Sequence, residues 1–206
     1  MPRNVICISR TRGADGETVG HRVAEQLGFA YVDEDIVVAA SRKAGLDPST
    51  VARIEERAPL IDRLLDALSM EGAATVVAAR AASLTGHAHP PIEDDLRTLI
   101  RHTIEEVGAR GRAVIVAHAA SYALKERPDV LRVLVTASPA TRAQRLTLLS
   151  IDDAATAIRE SDRERDHYLR RFYDVREETP LHYDLVINTD VLDIDHAVAA
   201  IVAAGR

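Results

Sequence analysis

Between Val5 and Gly28 the chain passes from a strand pattern to a helix pattern across a glycine-rich turn, and few folds tolerate that order. Val5-Ile6-Cys7-Ile8 is a continuous apolar run, Gly13-Ala14-Asp15-Gly16-Glu17-Thr18-Val19-Gly20 is the turn, and His21 to Leu27 has helical spacing closed by Gly28. Glycines let consecutive backbone N–H groups turn toward one point, and the helix that follows aims its positive dipole end at the same place. The result is a cradle for a phosphate chain. In the full motif G-x-x-x-x-G-K-[ST] a lysine reaches the β- and γ-phosphates and a hydroxyl holds Mg²⁺. Here Thr18 offers the hydroxyl, but Gly16 and Glu17 stand before it and there is no lysine.

The remaining pattern predicts a parallel sheet. Phe29 to Val32, Ala113 to Val116, Val130 to Thr136 and Leu185 to Ile187 read as further strands, the later ones apolar throughout, as expected when both faces of a strand are covered. Helical stretches separate them: residues 36–84, broken near Asp47-Pro48 and Gly72; Ile92 to Val107, with Leu96, Leu99, Ile100, Ile104 and Val107 on one stripe; and a last helix from about Asp195. Strands alternating with helices imply right-handed crossovers. A chain of 206 residues, 47% apolar, fits one such α/β domain, residues 1–206, with a helical insertion near 36–90.

Charge and cysteine content narrow the function. A net charge of −6 argues against tracking a nucleic-acid backbone. A single cysteine, Cys7, sits in the first strand and rules out a disulfide framework. No apolar stretch approaches the roughly 20 residues that span a bilayer, and no signal-peptide pattern is present. A cytoplasmic protein acting on small nucleotides is expected.

Three further groups stand out. Asp33 and Asp35 follow the second strand, at the edge where open α/β sheets take ligands, and serve equally well as an acidic turn capping the next helix. His118 follows the strand at 113–116 and is either a cleft residue or a hydrogen-bonded, partly buried histidine; His87 and His89, in a proline-rich loop, lack the further ligands of a zinc site. Residues 142–173 carry Arg142, Arg145, Arg159, Arg163, Arg165, Arg170 and Arg171, and helical spacing lets Asp162 orient Arg165. An arginine-rich lid of this kind stabilises the charge of a transferred phosphoryl group and excludes water; a solvated helix laced with ion pairs is the competing reading.

These pieces, in order, resemble the cytidylate kinase-like family of the P-loop nucleoside monophosphate kinases: Ile8-Ser9-Arg10 before the turn, the turn itself, Val23 to Asp33 after it, Glu56-Arg57-Ala58-Pro59, Val114-Ile115-Val116, Arg142 with Arg145, Asp162-x-x-Arg165-x-x-Tyr168, and Tyr183 to Thr189. The resemblance implies an α/β, parallel-sheet P-loop fold of the nucleoside triphosphate hydrolase type, three-layered, with a helical insertion at 36–90 for the acceptor and an Arg-rich lid at 142–176. It implies transfer of the ATP γ-phosphoryl to CMP or dCMP with Mg²⁺. Gly13, Asp15, Gly16, Glu17, Thr18, Val19, Gly20 and Arg142 would hold ATP, with Thr18 at the metal. Asp33, Arg57 and His118 would hold the acceptor, and Arg145, Arg163 and Arg165 would act on the transferred group. The partners implied are nucleotides, with neither nucleic acid nor membrane, and a homodimer is allowed for. The resemblance is broken at two places: members of that family look glycine-rich where Asp15 stands and look like Gly-Arg where this chain has Ala117-His118. The alternative is a non-catalytic nucleotide-binding or regulatory protein with a degenerate loop.

Overall fold

The computed structural model describes residues 3–33, 92–116, 119–146 and 150–206. The chain divides into two units, residues 1–33 with 107–206, and residues 34–106. The first contains a five-stranded, wholly parallel sheet in the order β2-β3-β1-β4-β5. Its strands are β1 (Val5–Arg10), β2 (Ala30–Val32), β3 (Ala113–Ile115), β4 (Val130–Thr136) and β5 (Leu185–Asn188). The helices are α1 (Gly16–Leu27), α2 (Ile92–Arg110), α3 (Ala120–Ala123), α4 (Pro139–Arg145), α5 (Ile151–Tyr173) and α6 (Ile194–Gly205), with a short 3₁₀ turn at Pro180–His182.

β1 lies at the centre because its residues are apolar on both faces. Ile6 and Ile8 point to one face, beside Leu131 and Val133 in the β4 register, and join Val19 and Val23 of α1 and Ala197, Val198 and Ile201 of α6 in one buried cluster. Each fully buried Ile or Val contributes roughly 1.5–3 kcal/mol of transfer free energy, which makes this layer the anchor of α1. Val5, Cys7 and Ser9 point to the other face, where Ser9 Oγ lies 3.1 Å from Ser121 Oγ of α3. Cys7 is fully buried and desolvation pushes its thiol up to about 12, the behaviour of a small apolar residue.

Helix ends follow local chemistry. Ser138 accepts from the Thr141 N–H with Pro139 in the first turn, Ser150 accepts from Asp153, and Asp193 from His196. Gly28 ends α1 at φ 62, and its N–H reaches the carbonyls of Ala24 and Glu25. The five strands expected from sequence are all present. β1 runs two residues past the expected apolar run, to Arg10, and β3 ends one residue short, at Ile115. The terminal helix begins at Ile194.

Of the second unit, residues 92–106 of α2 are described; there Arg101 Nε donates to Glu105 Oε1 at 3.0 Å, one turn along. The expected insertion at 36–90 lies outside the described residues, and with it Asp35, Arg57, His87 and His89; so does His118.

Candidate functional site

The carboxyl ends of β1 and β4 open on one edge of the sheet, and the turn joining β1 to α1 lies there. Parallel sheets take ligands at this edge, where the chain order reverses beside β1. Gly13 has φ +80 and Asp15 φ 61, both left-handed, so the backbone doubles back before α1 starts at Gly16. Ala14 N–H donates to the Thr11 carbonyl at 3.1 Å and Ala14 is fully buried, which pins the middle of the turn. Asp15 makes no side-chain cap on α1. The first-turn N–H groups therefore remain as anion donors at the positive end of a helix of 12 residues.

Glycine is required here for space as well as for backbone angle. A Cβ on Gly13 would lie 2.8 Å from the Arg142 carbonyl oxygen, and one on Gly16 would lie 2.5 Å from Arg10 Cβ. Val19 is buried in the core and a Cβ on Gly20 would meet Val116 Cγ2 at 2.4 Å, so these two positions face the sheet and hold α1 close to it. Thr18, in contrast, is exposed in the first turn.

Three arginines hold the turn from behind. Arg142, 4% exposed, directs Nη1 to the Arg12 carbonyl at 3.5 Å and grips Asp162 with both terminal nitrogens, at 2.8 and 2.7 Å. Arg145 directs Nη1 to the Gly13 carbonyl at 3.3 Å and to Thr189 Oγ1 at 2.9 Å, and Nη2 to the Thr189 carbonyl at 2.8 Å. Its Nε lies 3.2 Å from the Asp15 carboxylate. Arg165 directs Nη1 to the Arg10 carbonyl at 3.4 Å. Carbonyls of residues 10, 12 and 13 thus point at guanidinium groups, which leaves the opposite side of the turn to N–H donors. Thr189 completes the clamp by donating its hydroxyl to the Ala14 carbonyl at 3.2 Å.

Beneath Arg10 lies a network that periodicity does not show. Arg165 pairs with Glu178 through Nε at 2.7 Å and Nη2 at 2.6 Å, and the Tyr183 and Tyr122 hydroxyls bond the same carboxylate. Burial works against the charged guanidinium, but Glu178 outweighs it and holds Arg165 above the ordinary arginine value. Burial likewise pushes against the Glu178 carboxylate, and the Arg165 hydrogen bonds, its charge and the two tyrosines bring it below the ordinary value. Burial raises both tyrosines, which stay neutral donors.

The expected pairing of Asp162 with Arg165 is corrected by these contacts. Both lie on α5, but Asp162 reaches across to Arg142 of α4 and Arg165 reaches to Glu178 beyond the helix end. Spacing along one helix permits a pair; a neighbouring element with a better-placed fork takes the partner. Arg163 is exposed on α5, and Asp33 lies just past β2 at the ligand edge. Sequence reasoning gave Thr189 no role beyond the end of the Tyr183-to-Thr189 piece, and it missed Glu178 and Tyr122. Thr189 had a signal, being the first residue past the carboxyl end of β5; Glu178, in an irregular turn, had none.

The model of the cytidylate kinase-like family matches residues 5–191, from the first residue of β1 to just past β5. The chain belongs to this family. A cytidylate kinase of Cupriavidus necator is 30% identical, the match covering 96% of this chain and 93% of that protein. Among solved structures, an uncharacterized protein from Eubacterium ventriosum superposes with a TM-score of 0.65 at 14% identity, covering 98% of this chain and 97% of the other. Shikimate kinase from Bacteroides thetaiotaomicron gives 0.53 at 14% identity, with 97% of both chains covered. Shikimate kinase from Acinetobacter baumannii in complex with shikimate gives 0.52 at 16%, with 99% and 93% covered. The fold is that of P-loop kinases, and the match of the family includes the turn at 13–20 and its arginine clamp. Among the described residues no helix is long and apolar enough to cross a membrane, and no cluster of three or more His, Cys, Asp or Glu side chains is placed to hold a metal ion.

Proposed function

We propose that this protein is a nucleoside monophosphate kinase that transfers the γ-phosphoryl group of ATP to CMP or dCMP with Mg²⁺. The observation that carries the reading is the turn at 13–20, entered through the carbonyls of Arg10, Arg12 and Gly13 held by Arg165, Arg142 and Arg145, with its first-turn N–H groups left for an anion. Family membership and the C. necator relative support the acceptor. A lone buried thiol in the described core supports work in a reducing, cytoplasmic compartment.

The chemistry asked of the protein is positioning and charge compensation, since phosphoryl transfer needs no covalent intermediate. The N–H groups of Gly16, Glu17 and Thr18 bind the donor phosphates and keep them in line with the acceptor. Arg145 keeps Gly13 and Asp15 in place by holding both to Thr189, and turns the Asp15 carboxylate onto a guanidinium. Thr18, exposed in the first turn, fits Mg²⁺, which uses few protein ligands and takes the rest from phosphate and water. Bound there, Mg²⁺ neutralises charge on the phosphates. Asp33 at the sheet edge, with Arg57 and His118, is assigned to the acceptor, and exposed Arg163 to the transferred group.

One observation favours a second reading. No lysine precedes Thr18, and Arg142, Arg145 and Arg165 are engaged by the protein itself, as in a nucleotide-binding protein without transferase activity. Incubation with ATP, Mg²⁺ and each nucleoside monophosphate in turn, followed by ADP measurement, separates the two. Mg²⁺-dependent ADP formation with CMP or dCMP, lost in Thr18→Val, is the expected result. Tight ATP binding without ADP from any acceptor selects the second reading.

A further inference from the structure

The turn lacks a lysine, yet it does not lack a cation. Arg10 is the last residue of β1, and its side chain runs along the start of α1: a Cβ added at Gly16 would meet Arg10 Cβ at 2.5 Å and Cδ at 3.0 Å. The arginine stem thus covers the glycine that begins the helix. Its guanidinium ends at the first turn, with Nη2 2.5 Å from Glu17 Oε1. Nε is buried and has no hydrogen-bond partner. Arg142 Nε is unpaired in the same way, so it is the rest of the Arg10 side chain, 24% exposed beside the first-turn N–H groups, that an anion held there can reach.

The backbone of the same residue is held from below, since its carbonyl accepts from Arg165, itself gripped by Glu178. Arg10 is thereby anchored at one end and loosely paired at the other. The Glu17 side chain is 58% exposed, and an exposed carboxylate is a weak competitor for a guanidinium. A polyphosphate offers more charge and a bidentate oxygen pair in the geometry an arginine fork matches.

We propose that Arg10 is the phosphate-binding cation of this turn, taking the β- and γ-phosphate oxygens of a nucleoside triphosphate in place of the missing lysine, with Glu17 as its counter-ion until the phosphates displace it. The proposal rests on the nucleotide kinase reading and identifies which side chain supplies the positive charge. It also separates the three clamping arginines, which hold the loop, from Arg10, which meets the ligand.

The test is calorimetric titration of the full-length protein with ATP, ADP and tripolyphosphate at low salt, without added metal, using the parent, Arg10→Met, Arg10→Lys and Glu17→Gln. Methionine keeps the packed stem and removes the charge. Arg10→Met should weaken ATP and tripolyphosphate binding roughly 10- to 100-fold, the range for one charge-assisted contact, with the unliganded melting temperature unchanged. Arg10→Lys should recover part of the loss, and Glu17→Gln should tighten binding several-fold by removing the competitor. Glu17→Gln reports on the pair even if Arg10→Met folds poorly. Parent-like affinity in Arg10→Met, or weakened binding in Glu17→Gln, overturns the proposal while leaving the kinase reading in place. A parent that binds none of the three ligands overturns both.

Discussion

Arg165 and Glu178 face each other through two contacts of 2.7 and 2.6 Å, their side chains 20% and 13% exposed, directly below the carbonyl of Arg10. Removing one partner of such a pair leaves an uncompensated charge, which is worse than removing both. Glu178→Gln should therefore destabilise the protein by roughly 3 kcal/mol, read as a lower urea midpoint. The double variant Arg165→Met/Glu178→Leu should regain much of that stability yet bind ATP less well, because the Arg10 carbonyl loses its donor. A double variant no more stable than Glu178→Gln would show that the pair is not the source of the loss.

The same carboxylate makes a prediction about acid. Glu178 is held below its ordinary value in the folded protein, so its contribution is present above the unfolded value of about 4.3 and disappears as pH falls through the folded value. Asp184, lowered by Arg132, and Asp129, lowered by Arg127, share this acid limb. Urea unfolding from pH 7 to pH 3 should show the parent losing its advantage over Glu178→Gln below about pH 4. A constant difference across that range would remove Glu178 from the acid response.

Two glycines of the turn should respond for different reasons. Gly13→Ala meets both a φ of +80 and the Arg142 carbonyl at 2.8 Å, so it should cost about 1–3 kcal/mol of stability and also disturb α4. Gly16→Val presses on Arg10 Cβ, whose stem can shift only by moving the guanidinium. It should lose ATP affinity more than it loses stability. Normal folding with parent-like ATP binding in Gly16→Val would place the phosphate cradle elsewhere.

Arg145 and Thr189 form one clamp and should fail together. Thr189, 5% exposed, accepts from Arg145 and donates to the Ala14 carbonyl. Thr189→Val should cost about 1–3 kcal/mol by leaving these groups unsatisfied, and Thr189→Ser should restore most of it. Because Arg145 holds the loop before any substrate arrives, Arg145→Ala should weaken ATP binding as well as turnover. An unchanged ATP Kd with a reduced kcat would instead place Arg145 on the transition state.

The glycine turn, its flanking elements and the burial of β1 were legible because each depends on neighbours in sequence. Gly13 must be glycine where the backbone turns left-handed, and Val5 to Ile8 must be apolar where two layers cover a strand. The caps at Ser138-Pro139 and Ser150 are equally local, but the sequence reading did not pick them out. The arginine cluster at 142–171 was legible as composition and misread as pairing. Asp162 lies at helical spacing from Arg165, but two-pronged contact with Arg142 depends on how α4 crosses α5.

Alone, then, the sequence determined a parallel α/β sheet, the position of the glycine turn between β1 and α1 and the family to which that order of motifs belongs, because hydrophobic period and glycine placement act over a few residues. Tertiary structure decided which charge meets which. A guanidinium sits on a long flexible stem and finds partners from any element packed nearby, so only the packed molecule shows Arg142, Arg145 and Arg165 turned onto the carbonyls of Arg12, Gly13 and Arg10, and Arg10 turned onto Glu17.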